Sequence, residues 1–265
     1  MLEEIADQAQ GLRRRFQRPQ LQMLPLVANP HVAGTHRLLD ALCRALGRHG
    51  LRCLVVDAVP GAGGQDRALT QALARGAGLE RWIEHVETHV AVLAADPAAW
   101  CAGSDSELLA RWSRALQQAA PDTDVVVFHA QAELLSRLFA RHEVCPLVLC
   151  GDTPDSLTHA YAGIKTLSLQ AGLRRQAVLL DLPRHEAQLP AAAARLARCA
   201  RDFLGAQLHP LAWTHAMGAS EQALAHQLSG LSIGLLREAL EPPPRAPGHA
   251  TLSTRPAAAP ARVLH

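Results

Sequence analysis

The sequence predicts a doubly wound α/β domain, in which a mostly parallel sheet is flanked by helices on both faces. The candidate strands are apolar throughout, which is typical of strands that are buried on both faces. The stretches between them are long enough to hold a helix, and such crossovers connect parallel strands. With 265 residues, the chain is expected to form one domain with short appendages.

The first appendage is an N-terminal helical arm, predicted over residues 1–18 and closed by Pro19. Apolar residues recur along it at helical spacing: Leu2, Ile5, Ala9, Leu12 and Phe16. Cations suit the end of a helix dipole. Arginines occupy the end of this helix: Arg13, Arg14, Arg15 and Arg18.

The main domain is predicted over residues 19–240, and strand patterns alternate there with helix patterns. The predicted strands cover residues 23–28, 51–57, 86–94, 125–128, 144–150, 176–180 and 207–212. The predicted helices cover residues 35–49, 106–119, 131–142, 156–170, 186–203 and 221–240. Ser104-Asp105-Ser106 is typical of a helix N-cap, and the glycine-rich residues 61–64 predict a flexible loop. Residues 241–265 hold six prolines without periodicity and predict a disordered tail.

Composition excludes several classes of function. The net charge is +2 and aromatic residues make up 3% of the chain, so we expect no nucleic-acid partner. The six cysteines lie mostly in apolar runs without C-x-x-C spacing, which is typical of small core residues in a reducing compartment. The sequence shows neither a secretory leader pattern nor an apolar stretch of about 18 residues, so we expect a cytoplasmic protein.

Histidines offer an alternative site chemistry. His85 and His89 could share a helix face, and His31 and His36 flank the turn after the first strand. No carboxylate or cysteine cluster joins either pair at ligand spacing, so we expect no metal site. No Gly-x-Ser-x-Gly directly follows a predicted strand, which disfavours a serine hydrolase.

Two segments resemble a known family. The arm contains Asp-Gln-Ala-x-x-Leu-Arg at residues 7–13, which resembles the activator helix of FlhG (also called FleN), the MinD-like partner of the flagellar GTPase FlhF. Residues 153–165 resemble the family's Glu-Pro-Thr-Ser-Ile-Thr-Asp-Ala-Tyr-Ala-Leu-Ile-Lys. The helix and strand over residues 38–57 keep the family's spacing. The resemblance covers nearly the whole domain and implies the MinD-like fold of P-loop NTPases of the MinD/ParA family.

The phosphate loop of that family, Gly-Lys-Gly-Gly-Val-Gly-Lys-Thr, corresponds to residues 29–36. Such a loop directs successive backbone N–H groups and a lysine at the phosphates. Of the glycines only Gly34 is kept. Pro30 stands at the signature lysine position, Thr35 at the second lysine position and His36 at the position that binds magnesium.

Two acidic positions of the family also differ. Val59 stands where an aspartate would orient the attacking water, and His129 stands where the Walker B-type aspartate would be. Lys165 is the only lysine of the chain, and the resemblance puts it on a helix remote from the loop. Together these changes remove charge neutralisation, metal binding and water positioning. They imply a pseudo-ATPase without nucleotide or metal cofactor.

The resemblance implies a non-catalytic regulator of flagellar biogenesis that binds an FlhF-like GTPase of the signal-recognition-particle type through its arm. Gln8 would enter the partner's active site and help to position the attacking water. Four further residues would hold the helix in register: Asp7, Ala9, Leu12 and Arg13. Flagellar switch (C-ring) or regulatory proteins are further expected partners.

Two alternatives stay open. The body could be an ATP-independent adaptor for flagellar structural or regulatory proteins, or the chain could be an atypical nucleotide-binding enzyme. The closing helix has one apolar stripe, formed by Leu224, Leu228, Leu231 and Leu235. Its only basic residue is Arg237, so we expect the stripe to pack on the domain and any membrane contact to be weak or indirect. Recruitment to the inner face of the membrane at flagellar sites is left open.

Overall fold

The structure is a computed structural model that describes residues 21–62, 66–101, 108–140, 142–181, 189–214 and 217–238. The predicted arm (residues 1–18), the predicted tail (residues 241–265) and the predicted N-cap at residues 104–106 lie outside the described residues. Gly63 and Gly64 of the glycine-rich loop also lie outside them.

A single sheet of eight strands has the order β3-β4-β2-β5-β1-β6-β7-β8. Its neighbouring strands are all parallel except for the antiparallel pair β3–β4. The strands are β1 (Gln22–Val27), β2 (Cys53–Ala58), β3 (Glu84–Glu87), β4 (Val90–Ala94), β5 (Val125–Ala130), β6 (Leu147–Gly151), β7 (Arg175–Asp181) and β8 (Gln207–Thr214). The predicted doubly wound, mostly parallel sheet is therefore confirmed.

Helices cover both faces of this sheet. They are α1 (Thr35–Arg48), α2 (Arg67–Arg75), α3 (Pro97–Trp100), α4 (Leu108–Ala119), α5 (Ala132–Phe139), α6 (Pro154–Gln170), α7 (Leu189–Leu204) and α8 (Glu221–Glu238). A short 3₁₀ turn, Glu80–Trp82, follows α2.

Two apolar cores explain why the strands lack polar alternation. In β1, Leu24 and Leu26 belong to the core beneath α1 and α8, whereas Met23 and Val27 belong to the core on the opposite face. Successive side chains of a strand point to opposite faces, so a strand that is buried on both faces must be apolar at every position. The helices α2 to α7 contribute to the second core.

The stripe of α8 packs on the domain, as the sequence predicted. Leu224, Leu228, Leu231 and Leu235 are buried in the core that α8 shares with α1. Polar contacts also hold α1 against α8 and the residues just before it. The guanidinium of Arg37 donates to the carbonyl of Ala219 at 2.7 Å, and Arg44 pairs with Glu221. Among the described helices, none combines the length and apolarity that a membrane span requires.

The single strand predicted over residues 86–94 is wrong. The chain forms a hairpin there, in which β3 runs antiparallel to β4 and the turn lies at residues 88–89. His85 therefore lies on a strand and His89 in the turn, and the two do not share a helix face. The sequence pattern also missed α2 and α3, because α2 has only three buried residues (Leu69, Ala72 and Leu73) and α3 is one turn long.

Several element bounds shift by a few residues. The strand predicted from residue 144 begins at Leu147, after Pro146, which has no N–H to donate to a sheet. The helix predicted over residues 131–142 ends at Phe139. Cys43, Cys53, Cys145 and Cys150 are core residues as expected, whereas Cys199 is exposed.

Candidate functional site

The candidate site lies where β1, β2, β5 and β6 end. Because these strands are parallel, their carboxyl ends share one edge of the sheet. In open α/β sheets, ligands bind in the crevice at this edge. The loop over residues 28–34 leaves β1 there and leads into α1, and the chain passes from β6 into α6 beside it.

Asn29 fastens this loop to the corner between β6 and α6. Its Nδ2 lies 3.0 Å from each of three acceptors, which are the carbonyl oxygens of Leu149 and Ser156 and the hydroxyl of Ser156. The Ser156 hydroxyl in turn accepts from the N–H of Gly151 at 2.7 Å. Asn29 is 2% exposed and Ser156 is fully buried. We name these contacts the Asn29 clamp.

Gly151 is required at this corner by close packing. A Cβ at this position would lie 3.2 Å from the Ser156 hydroxyl, which is tighter than ordinary van der Waals contact. The clamp therefore depends on a glycine at the end of β6 as well as on the two polar side chains.

Backbone N–H groups of the loop are used inside the loop itself. His31 N–H donates to the Asn29 Oδ1 at 3.1 Å, and Val32 N–H donates to the Asn29 carbonyl at 3.1 Å. Thr35 donates twice to the Val32 carbonyl, from its N–H at 3.3 Å and from its hydroxyl at 2.8 Å. Pro30 has no N–H. A phosphate loop requires such groups to point at the ligand.

The side chains at the start of α1 offer little positive charge to an anion. Gly34 occupies the N-cap position with φ −88°, a conformation that other residues also adopt. His36 is exposed in the first turn. The guanidinium of Arg37 is turned towards the chain before α8, where it donates to the carbonyl of Ala219.

His129 and Asp57 form a pair on neighbouring strands of this edge. They stand opposite each other in the β2–β5 register, and Nδ1 of His129 lies 3.1 Å from Oδ1 of Asp57. A carboxylate at Nδ1 favours the tautomer with the proton on that nitrogen, which leaves Nε2 as an acceptor. His129 is 3% exposed, and its Nε2 has no hydrogen-bond partner.

This histidine lies within β5, because the strand extends to Ala130 rather than ending at residue 128 as predicted. Magnesium prefers oxygen ligands, so an imidazole at this position is a poor replacement for an aspartate. Val59 is half-buried in the turn after β2 and provides no oxygen ligand from its side chain.

Two other ionisable side chains, Cys150 and Lys165, do not provide a reactive group at the site. Burial and the neighbouring Asp152 carboxylate raise the pKa of the Cys150 thiol to about 12, so it stays protonated and is a poor nucleophile. Lys165 is exposed on α6, eleven residues beyond its first residue, Pro154. At 1.5 Å per residue this is about 16 Å along the helix from the loop end.

The structure brings together two histidines that the sequence did not pair. The rings of His31 and His159 pack edge to face with centroids 5.8 Å apart, which adds a contact between the loop and α6. The described residues contain no group of three or more His, Cys, Asp or Glu side chains with the geometry of a metal site.

Sequence reasoning missed the Asn29 clamp. It identified a turn at Asn29-Pro30 in the place of a phosphate loop, but a turn signal does not show which distant residues the asparagine side chain contacts. The predicted arm residues Asp7, Gln8, Ala9, Leu12 and Arg13 lie outside the described residues.

Comparison with solved structures identifies the fold. The chain is similar to a ParA family ATPase from Chlorobium tepidum with a TM-score of 0.53 and 14% identity, over 82% of this chain and 95% of that one. It is similar to MinD in the MinC:MinD cell division complex of Aquifex aeolicus, with a TM-score of 0.50 and 14% identity over 82% and 94%.

A third similar structure is the cobyrinic acid a,c-diamide synthase of Mycobacterium smegmatis with a bound ATP analogue and magnesium. The TM-score is 0.54 and the identity 19%, over 82% of this chain and 94% of that one. No protein-family model and no curated protein sequence matches the chain. At these identities the likeness establishes the fold, and the predicted MinD/ParA fold is confirmed.

Proposed function

We propose that this protein is a non-catalytic, FlhG-like regulator of flagellar biogenesis. Its body is a pseudo-ATPase, and its N-terminal arm binds an FlhF-like GTPase and stimulates GTP hydrolysis there. The observation that carries the first half of the proposal is the inward-turned loop after β1. The N–H groups of His31, Val32 and Thr35 are donated within the loop, and Pro30 has none.

Electrostatics supports the same conclusion. Nucleotide hydrolysis depends on cations that neutralise the triphosphate and on a group that positions the attacking water. Neither lysine position of the loop holds a lysine, and Lys165 is far along α6. The guanidinium of Arg37, near the loop, is engaged with the carbonyl of Ala219. The imidazole of His129 replaces the oxygen ligand that magnesium would need.

The Asn29 clamp gives the body a second property. In a nucleotide-driven switch, contacts with the γ-phosphate order separate switch segments, which relax after hydrolysis. The Asn29 amide fastens the loop to Leu149 and Ser156 through protein groups alone. The body is therefore a scaffold that holds one state, while the arm carries the activity.

The arm acts on the active site of its partner. An activator of a GTPase supplies or orients a group that stabilises the transition state or the attacking water, and a glutamine does the latter in several GTPases. Gln8 is the candidate for this role, within the Asp-Gln-Ala-x-x-Leu-Arg pattern of residues 7–13. The apolar stripe through Leu12 would hold the helix on the partner.

GTP turnover by the FlhF-like GTPase tests this proposal directly. A peptide of residues 1–19 should raise the turnover rate, and Gln8→Ala should return it to the unstimulated rate. Gln10→Ala is the matched control, because Gln10 lies about 200° around the helix from Gln8 and should leave stimulation unchanged. If the wild-type and Gln8→Ala peptides give the same rate, the activator proposal fails.

A second candidate is an adaptor that binds flagellar structural or regulatory proteins through the body alone. The ligand-independent clamp favours it, since such a body needs no nucleotide to present a fixed surface. Capture experiments with residues 1–18 deleted discriminate between the two. If the shortened chain no longer captures the GTPase but still captures other flagellar proteins, the activator proposal is supported. If the shortened chain still captures every partner, the adaptor is supported.

A further inference from the structure

A groove beside α2 has no part in the proposed function. It lies between α2 and the chain that follows it, up to the 3₁₀ turn Glu80–Trp82, and its volume is about 470 Å³. Small-molecule sites have volumes of about 300–1,000 Å³, so the groove is large enough for one small ligand. We name the space between α2 and residues 77–82 the α2 groove.

The two walls of the α2 groove are joined where α2 ends. Gly76 caps the helix in a left-handed conformation with φ 68°. Its N–H donates to the carbonyl of Leu73 at 3.0 Å, and the N–H of Ala77 donates to the carbonyl of Ala72 at 3.2 Å. This is the Schellman motif, which satisfies the last carbonyls of a helix and ends it. The chain then leaves the helix and forms the second wall of the groove.

Asp66 joins the two walls again at the start of α2. One carboxylate oxygen accepts from the N–H groups of Ala68 and Leu69 at 2.7 and 3.2 Å. The other oxygen accepts from the indole N–H of Trp82 at 2.9 Å. Between the two junctions, Leu79 is fully buried in the core beneath α2. The shape of the groove therefore follows from contacts within the chain.

The interior of the α2 groove is largely apolar. The indole of Trp82, which is half-buried, forms part of one wall. Three alanines with small side chains line the rest of the interior: Ala68, Ala72 and Ala77. Larger side chains at these positions would fill the space. Since ligand pockets bind the apolar part of a molecule through such surfaces, the interior suits an aromatic or aliphatic group.

The charged groups of the groove are mainly cationic. Arg75 and Arg81 are exposed and line it, whereas Glu80 is the one carboxylate among its described lining residues. The guanidinium of Arg81 lies over the ring of Trp82, 3.9 Å from the centroid, and this cation–π contact holds it beside the apolar wall. Within the described residues, neither arginine forms an ion pair. The carboxylate of Asp66 is already used by its three N–H donors.

We propose that the α2 groove binds a small aromatic anion. The aromatic body lies against Trp82 and the alanines, and the acidic group accepts charge-assisted hydrogen bonds from the guanidinium groups of Arg75 and Arg81. The site is independent of the proposed function. The core beneath α2 lies on the face of the sheet opposite α1 and α8, and no residue of the Asn29 clamp lines the groove.

A fluorescence titration of the full chain with anilinonaphthalenesulfonate, an aromatic anion, tests the charge requirement. Arg75→Gln and Arg81→Gln should each weaken binding about tenfold, because each removes a charge-assisted hydrogen bond. Glu80→Gln should strengthen binding, since it removes a like charge. Arg67→Gln is the matched control, because it removes the same charge from α2 at an exposed position outside the groove and should leave the affinity unchanged.

Ala68→Leu tests the shape requirement without changing any charge. The larger side chain should fill the groove and reduce binding of the same probe at least tenfold. Ala74→Leu is the matched control, since it adds the same side chain at an exposed position of α2 that does not line the groove. Urea denaturation of each variant checks that these exposed changes leave the fold intact.

Several results would overturn this site. If the wild type does not bind the probe, or binds it as tightly as Arg75→Gln and Arg81→Gln do, the guanidinium groups hold no anion there. If Arg67→Gln weakens binding as much as they do, general attraction of the anion to the chain explains the affinity. If Ala68→Leu binds like the wild type, the probe lies elsewhere on the surface. None of these results alters the GTPase test of the proposed function.

Discussion

The loop at residues 29–36 and the segment at residues 153–165 lie side by side at the ends of β1 and β6, yet they resemble the family patterns to very different degrees. The first shares a single glycine with the phosphate loop it resembles, whereas the second follows the FlhG pattern at most positions. The structure connects the two, because the Asn29 amide donates to the Ser156 carbonyl and hydroxyl. The segment that supports the loop matches the family pattern, whereas the loop lacks the lysines and most of the glycines of that pattern.

The packing at this corner therefore does not depend on how closely the loop matches a phosphate-binding pattern. Gly163 is an example on the second segment, since a Cβ there would lie 3.2 Å from Val27 of β1. Its absence lets α6 approach the sheet closely. Residues 153–165 therefore contribute to packing and to the clamp, neither of which requires a ligand.

The largest expected effect comes from removing the clamp on the loop side. Asn29→Leu removes the three buried hydrogen bonds that the Asn29 amide donates to Leu149 and Ser156, and each such bond contributes about 0.5–1.5 kcal/mol. We expect the free energy of unfolding to fall by about 3 kcal/mol in urea denaturation. Ala33→Ser, an exposed change in the same loop, should alter it by less than about 0.5 kcal/mol. A loss below about 1 kcal/mol for Asn29→Leu would contradict the clamp.

A smaller effect is expected from the other side of the same contact. Ser156→Ala removes the acceptor of the Gly151 N–H and one acceptor of Asn29, which should cost about 1–2 kcal/mol. Thr158→Ala is the control, because its exposed hydroxyl donates only within the first turns of α6. Combined with Asn29→Ala, the two changes should be non-additive by more than about 0.5 kcal/mol. Additive losses would show that the two segments are independent.

The smallest effect is expected from an ion pair away from the site. The Arg44 guanidinium of α1 lies 2.8 Å from the Glu87 carboxylate of β3, and both side chains are partly exposed. The Arg44 guanidinium lowers the pKa of the Glu87 carboxyl below its ordinary value of 4.5. A group with a lowered folded pKa stabilises the fold above its ordinary pKa, and the contribution is lost as the pH falls through the folded pKa. Glu87→Gln should therefore cost up to about 1 kcal/mol at pH 7 and almost nothing at pH 2. If urea denaturation shows the same loss in free energy of unfolding at both pH values, the ion pair is not its cause.

Much of the fold could be predicted because apolar runs and helix-length crossovers are local signals. They located β1, β2 and β5 to β8 within a few residues, and they identified the stripe through Leu224 and Leu228 of α8 that packs on the domain. The β3–β4 hairpin was missed, because its first strand is largely exposed and includes Glu84 and His85.

The sequence located the loop at residues 29–36 between the first strand and the first helix of the domain, but it did not predict the contacts of the loop. The positions that correspond to a phosphate loop follow from their order along the chain, which the sequence provides: Pro30, Gly34, Thr35 and His36. The clamp joins Asn29 to a residue 127 positions away, and only the sheet order β1–β6 brings the two together. The His129–Asp57 pair likewise depends on the β2–β5 register.

Isothermal titration calorimetry of the full chain with ATP and magnesium tests whether the body is a pseudo-ATPase. We expect no binding heat and no rise in melting temperature at millimolar ATP, because the loop's N–H groups at His31, Val32 and Thr35 are already donated and neither lysine position of the loop holds a lysine. Binding at micromolar ATP, with the triphosphate and its magnesium seated beside Gly34 in a crystal of the complex, would contradict it.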